Sequence, residues 1–162
     1  WKTLLLHNLT DSDIMVKSLW VDDEIELLKP HVLFLRQKGY EVDTCNNGYD
    51  AIDMATEGGY DLIILDPPAF TKARRTVENA MRGYKEINYR AMKLLPRGGY
   101  LATASCSHFA TEELFIKMLH AAAKDAHRQL RQIEVKQQAP DHPILWGVPE
   151  TNYLKFFLFQ VI

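Results

Sequence analysis

The chain has 162 residues, 47% hydrophobic and 25% charged, proportions that suit one globular domain with room for a real core. No apolar run approaches the roughly 20 residues that span a bilayer, no charged-then-apolar leader opens the chain, and the two cysteines have no metal-ligand spacing, so the expectation is a reducing, cytoplasmic compartment and, with Trp1 in place of Met, a fragment or processed form. The net charge of −2 hides an asymmetry, because residues 1–66 carry 5 basic and 13 acidic side chains, residues 67–97 carry 8 and 2, and residues 98–162 carry 6 and 6, which points to two surfaces with different partners.

Residues 1–16 receive no element and no role, beyond a polar turn at 10–13. Residues 17–23, KSLWVDD, are β-rich and end in two carboxylates, of which Asp23 is placed to cap a helix. That helix is predicted over 24–38, with Ile25, Leu28, Val32 and Leu35 on one face, Pro30 at a kink or in the first turn, and Gly39 as the stop. Residues 41–45 form a second strand, 46–48 a turn and 50–56 a short helix halted by Gly58 and Gly59. Leu62, Ile63, Ile64 and Leu65, bounded by Asp61 and Asp66, read as a strand buried on both faces. Pro67 and Pro68 end it, having no N–H for a ladder. Asp66 therefore tips a central parallel strand at its carboxyl end, the edge where open α/β sheets bind ligands.

After the prolines a helix is predicted over 77–95, a strand over 100–104 with its exit loop at 105–108, a helix over 111–126 and a strand over 130–138. A turn at 140–143 leads to a final apolar strand over 153–162, which lacks an intervening helix and should run antiparallel. The alternation gives a three-layer, Rossmann-like α/β domain with a mostly parallel sheet.

Several motifs lie in the second part: LDPPAF at 65–70, RGYKEIN at 82–88, LLPRGGYL at 94–101, SCS at 105–107, DHP at 141–143 and PETNYLKFF at 149–157. Together they resemble the bacterial S-adenosylmethionine-dependent methyltransferases that make 5-methylcytosine in large-subunit ribosomal RNA. The resemblance implies Asp66 beside the target base, Cys106 as the nucleophile, S-adenosylmethionine as cofactor and ribosomal RNA as partner. Residues 17–57 are similar to something else. LWVDDE at 19–24 and the stretch from Leu27 to Ala55 resemble the first half of a response-regulator receiver domain. There the acidic pair, here Asp22 and Asp23, helps hold Mg²⁺, and the phosphorylated aspartate falls on Asp66. The chain thus reads as one domain of two halves, 17–60 and 61–162, that share the strand ending at Asp66. In methyltransferase strand numbers the expected order is 2-1-4-5-7-6, with the outer strand missing and the last one antiparallel.

The chemistry follows from these placements. A pyrimidine C5 is a poor nucleophile until a thiolate adds to the neighbouring carbon while a carboxylate steadies the ring nitrogen. Cys106 and Asp66, at the exits of adjacent strands, are expected roughly 5 Å apart, and Cys45 lies about 14 Å from Cys106, too far for a disulfide. Asp22, Asn46, Asp66, Pro67 and Pro68 are the expected cofactor contacts. The turn at 21–25, VDDEI, has no glycine to let backbone N–H groups approach a nucleoside, so weak or absent cofactor binding is expected. In the receiver-like alternative Asp22, Asp23 and Asp66 converge on Mg²⁺, Ser105 or Thr103 stands in for the switch hydroxyl, and no lysine matches the one that pairs with phosphate. Lys72, Arg74, Arg75, Arg82, Lys85 and Arg90 are the expected RNA contacts, with half of them on a solvated helix face. The aromatic residues of 153–159 are expected in the core, and the exposed second strand offers an edge for a homodimer. Three readings result: a methyltransferase-like domain with an impaired cofactor half, a receiver-like Mg²⁺-binding module phosphorylated at Asp66, and an inactive folded chimera.

Overall fold

A computed structural model describes residues 15–71 and 73–162. Expectations that fall on residues 1–14 and on Lys72, with the side chain of Arg74, lie outside the described residues.

Six strands build one sheet. They are β1 (Lys17–Asp22), β2 (Glu41–Cys45), β3 (Leu62–Asp66), β4 (Tyr100–Ser105), β5 (Leu130–Lys136) and β6 (Lys155–Val161). Their order is β2-β1-β3-β4-β6-β5. β1 pairs in parallel with β2 and with β3, and β3 in parallel with β4. β6 runs antiparallel to both β4 and β5. This is the order expected from the sequence, without an outer strand beyond β2.

The helices are α1 (Lys29–Gln37), α2 (Gly48–Gly58), α3 (Val77–Leu94) and α4 (Glu112–Asp125). Right-handed crossovers decide their faces. The β1–β2 connection steps outward and the β2–β3 connection steps back across the sheet, so α1 takes one face while α2, α3 and α4 share the other. The two cores record this division. Val32 and Leu35 of α1 pack with Trp20, Val42, Leu62 and Ile64. Ala51 of α2, Tyr84 of α3 and Phe115 of α4 pack with Leu19, Ile63 and Leu65. β3 sends alternate residues into both cores, as a strand covered on two faces must, and each of Leu62, Ile63, Ile64 and Leu65 is buried.

Local chemistry sets the ends of the elements, and here the structure corrects several expectations. The predicted helix over 24–38 is two pieces: a 3-10 turn, Ile25–Leu28, and then α1, with Pro30 in its first turn. Asp23 does not cap it. Asp22 does the corresponding work, its Oδ1 accepting the Glu24 backbone N–H at 2.9 Å, and Asp23 is left exposed. α2 begins earlier than predicted because the Asn47 side chain accepts from the N–H groups of Tyr49 and Asp50. It ends at Gly59, whose φ of 60° is the left-handed conformation glycine adopts without steric cost. Thr111, the first residue of the helix predicted over 111–126, caps α4 by accepting the Leu114 N–H. β5 stops at Lys136 and β6 begins only at Lys155.

Candidate active site

Three strand ends meet at one edge of the sheet. β3 leaves the ladder at Asp66 and β4 at Ser105, whereas β6, running the other way, enters at Lys155, the register partner of Ser105. The β3–β4 pairing runs as far as Leu65 opposite Thr103. Continued one step, it sets Asp66 level with Ala104, so Cys106 stands farther out in the exit loop. The carboxylate and the thiol are therefore offset along the edge, not directly opposite as simple strand spacing suggested.

Cys106 is half-buried and packs against the α1-side core. Burial pushes its thiol up, and the Asp66 carboxylate, with a smaller contribution from Asp23, adds to the rise; its own backbone N–H and Lys155 pull it down. Lys155 is 7% exposed. Its Nζ donates to the carbonyl oxygens of Ser107 at 2.5 Å and Tyr153 at 2.7 Å. Burial lowers its pKa to about 8, against the opposing pull of Cys106 and Glu112. Cys106 and Cys45 are both free thiols, as their separation across the sheet order requires.

The two exit loops are braced to each other. The Ser105 hydroxyl donates to the Tyr84 hydroxyl oxygen at 3.0 Å, and the Phe70 N–H reaches the same oxygen at 3.5 Å. The Ser107 hydroxyl donates to the Thr71 carbonyl at 2.8 Å. Tyr84 is fully buried, its ring 4.6 Å from that of Phe70 and 5.5 Å, edge-on, from that of Phe115. Gly83 permits this packing, since a Cβ there would come within 3.2 Å of the Phe70 ring.

Next to these loops, between α2 and α3, lies a cavity of about 500 Å³, within the usual range for small-molecule sites. Leu19, Ile63 and Leu65 form its floor, Ala51, Ala55, Ile87 and Ala91 its walls, and Asp22, Asp23, Asn46, Pro67 and Pro68 its mouth. Four of the five residues expected to contact a cofactor, Asp22, Asn46, Pro67 and Pro68, thus line a single cavity; Asp66 is not in its wall.

The expected Mg²⁺ triad does not form. Among the described residues no three His, Cys, Asp or Glu side chains gather as an ion would need. Asp22 and Asp66 are register partners on adjacent strands, but an oxygen of Asp22 is committed to the turn backbone and Asp23 points into solvent. Of the two candidate switch hydroxyls, Ser105 is engaged with Tyr84 and the buried Thr103 Oγ1 has no hydrogen-bond partner. The basic residues of α3 are also committed. Arg82 pairs with Glu78 at 3.8 Å, Arg90 with Glu86 at 2.6 Å, and Lys85 with Asp125 of α4 at 2.6 Å. Arg75 is exposed, while Lys72 and the Arg74 side chain lie outside the described residues. Phe156, Phe157 and Phe159 are buried core residues.

Sequence reasoning named Cys106 and Asp66 but passed over Lys155, Tyr84 and Ser107. A signal for Lys155 existed: a lone charge inside the otherwise apolar run LKFFLF is costly to bury and is seldom placed there without a task.

No protein-family model matches the chain. A curated relative, ribosomal RNA large subunit methyltransferase I of Erwinia tasmaniensis, is 48% identical over 103 residues, which are 64% of this chain and 26% of that protein. The chain therefore spans about a quarter of the length of this relative. Among solved structures, one described as a candidate methyltransferase complexed with SAH matches 90% of this chain and 45% of its own, with a TM-score of 0.66 and 16% identity. The N-methyltransferase NodS of Bradyrhizobium japonicum matches 99% of this chain and 93% of its own, with a TM-score of 0.51 and 18% identity. The fold is thus the Rossmann-like fold that these methyltransferase structures share, and 103 residues of the chain are similar to a ribosomal RNA methyltransferase. The receiver-like reading of residues 17–57 gains no support from these comparisons. No helix among the described residues is long and apolar enough to cross a membrane.

Proposed function

We propose that this chain is one α/β domain whose β3–β4–β6 edge handles the base in methyl transfer to C5 of a cytosine in ribosomal RNA. The observation that carries this reading is the grouping of Cys106 with Asp66 and the buried Lys155 at one edge of the sheet. In this reading the Cys106 sulfur pair forms a bond to C6 of the ring. The C5–C6 π pair shifts toward C4, and the C4–N3 pair moves onto N3, which takes a proton that Asp66 relays from solvent. C5 is thereby made nucleophilic; the N3 proton then returns to Asp66 and restores the C4–N3 double bond, the C5 proton passes to solvent, its pair re-forms the C5–C6 π bond, and the C6–S pair leaves with the Cys106 sulfur.

The cavity fits a nucleoside-bearing methyl donor in outline. It has an apolar slot for a flat ring and, at its mouth, Asp22 and Asn46 as acceptors for hydroxyl groups. When bound, S-adenosylmethionine would supply an electrophilic methyl group there, and Asp22, Asn46, Pro67 and Pro68 would hold it. Binding is weak in this reading. The turn after β1 carries Asp22, Asp23 and Glu24 where close backbone approach calls for glycine, and Asp22 spends one oxygen on that turn. RNA affinity is low as well, because Arg82, Lys85 and Arg90 of α3 are each engaged in an ion pair with a neighbouring carboxylate. The edge strand β2 remains a candidate contact between two copies of the chain.

The test is titration with S-adenosylmethionine, together with transfer of a labelled methyl group to a ribosomal RNA fragment by the wild type and by Cys106→Ala. Saturable binding weaker than micromolar, and transfer lost in Cys106→Ala, is the expected result. Transfer that survives Cys106→Ala overturns the role of the thiol, and micromolar binding overturns the argument from the glycine-free turn.

A further inference from the structure

The group at this edge that nothing in the motif reading assigns is the amine of Lys155. It comes from the start of β6, a strand 48 residues away from the loop it touches. Its position is fixed from both ends: the backbone is in register with Ser105, and Nζ donates to the carbonyls of Ser107 and Tyr153. Cys106 lies between Ser105 and Ser107, so the residues on either side of the thiol are each tied to Lys155. A protonated amine has three N–H bonds. Two are spent on carbonyls, which leaves one, and, while the amine stays protonated, its positive charge, for whatever forms beside it.

We infer that Lys155 is the positioning residue of this site, holding the Ser105–Ser107 loop in place and supplying, while protonated, the positive charge beside which the Cys106 thiolate forms. The inference rests on the reading of Cys106 as a nucleophile. Burying a lysine costs several kcal/mol unless it is compensated, and a loop clamp alone needs no charge, since a neutral donor of the same shape would bond the same carbonyls. What a charge adds is stabilisation of an anion. The other charged and titratable groups that face this pair are Asp66 at the end of β3, Asp23 after β1, Tyr84 on α3 and Glu112 in the first turn of α4. Asp66 and Asp23 oppose the thiolate and Glu112 supports the protonated lysine, so Lys155 is the one cation that the Cys106 thiol feels among these groups. The attacking step stays balanced: the S–H proton leaves to solvent, the sulfur pair forms the S–C6 bond, and the ammonium exchanges no proton.

The test is the pH profile of Cys106 alkylation by iodoacetamide, read by peptide mass spectrometry with the buried Cys45 as internal reference. Lys155→Met is expected to move the profile up by about one pH unit and to slow the reaction at pH 8 roughly tenfold, with Lys155→Arg recovering most of the loss. An unchanged profile in a folded Lys155→Met protein overturns the inference. If Lys155→Met fails to fold, the reciprocal measurement decides. Cys106→Ser exchanges a single atom and should lower the Lys155 pKa, followed through its ¹³Cε shift, because a hydroxyl does not ionise beside the amine as a thiol does; an unmoved titration overturns the inference. A shifted alkylation profile with no methyl transfer would sink the proposed activity and leave the pairing standing. Methyl transfer by Lys155→Met with an unaltered pH profile would do the reverse.

Discussion

The carboxyl edge of the sheet is held in two different ways along its length. At β3, β4 and β6 the exit loops are cross-braced by side chains distant in sequence, Tyr84 to Ser105, Ser107 to Thr71 and Lys155 to Ser107. At β1 and β2 the turns are held by their own neighbours, Asp22 to Glu24 and Asn47 to Tyr49 and Asp50, and the cavity opens there. A turn held by caps from its own neighbours can be exchanged with less disturbance beyond it. A braced loop cannot, because each hydroxyl it uses is the partner of another buried group.

The largest test of this contrast is Phe115→Ala. Phe115 is fully buried against Tyr84 and Phe157, so truncation should cost about 3–5 kcal/mol in urea unfolding and loosen the braced loops. Tyr84→Phe removes only an oxygen, yet it strands the Ser105 hydroxyl and the Phe70 N–H. A loss of about 1–3 kcal/mol is expected, with faster hydrogen exchange at Phe70. Lys155 adds a pH signature. Its folded pKa of about 8 lies below its ordinary value, so above pH 8 the unfolded chain holds more protons than the folded one, and stability rises with pH until the unfolded lysine titrates near 10.5. Cys106 works in the opposite sense above pH 9. Wild type minus Lys155→Met, measured between pH 8 and 9, should therefore slope upward; a flat difference would mean that the lysine is not buried as a cation.

Smaller effects belong to the locally held half. Asn47→Ala should cost about 1 kcal/mol and fray α2 without altering Cys106 alkylation. If it altered alkylation as much as Tyr84→Phe does, the two halves of the edge would behave as one. The smallest effect concerns Asp125, whose carboxyl the Lys85 ammonium holds below the usual range. That contribution is present above the ordinary carboxylate range and lost as pH falls through the lowered value. The pair is on the surface, so Asp125→Asn should show a difference at low ionic strength that 1 M salt removes.

Where the contacts were local, the sequence was legible. Pro67 and Pro68 end β3 at Asp66, and the alternation of strands and helices marks an α/β domain, whereas the order β2-β1-β3-β4-β6-β5 followed only from the resemblance to methyltransferase and receiver sheets. Even local capping misled when two donors competed. Asp22 and Asp23 are adjacent, and only the register of β1 decides which carboxylate turns back on the Glu24 N–H. The bracing was not legible, because Ser107 and Thr71 are 36 residues apart and no periodicity joins them. Lys155 escaped for a related reason. The Ser107 carbonyl that it reaches is 48 residues away, and the fold brings the amine in at the beginning of an antiparallel strand.

Phe70 touches both halves. It lines the cavity, its ring lies on Tyr84, and its N–H meets the Tyr84 hydroxyl that also receives Ser105. In the proposed reading, a small molecule seated against that ring and a base seated against the thiol would be joined through Phe70, Tyr84 and Ser105. Whatever factor the first applies to the grip on the second, the second returns in equal measure, so the order in which the two arrive changes the path and leaves the final affinity the same.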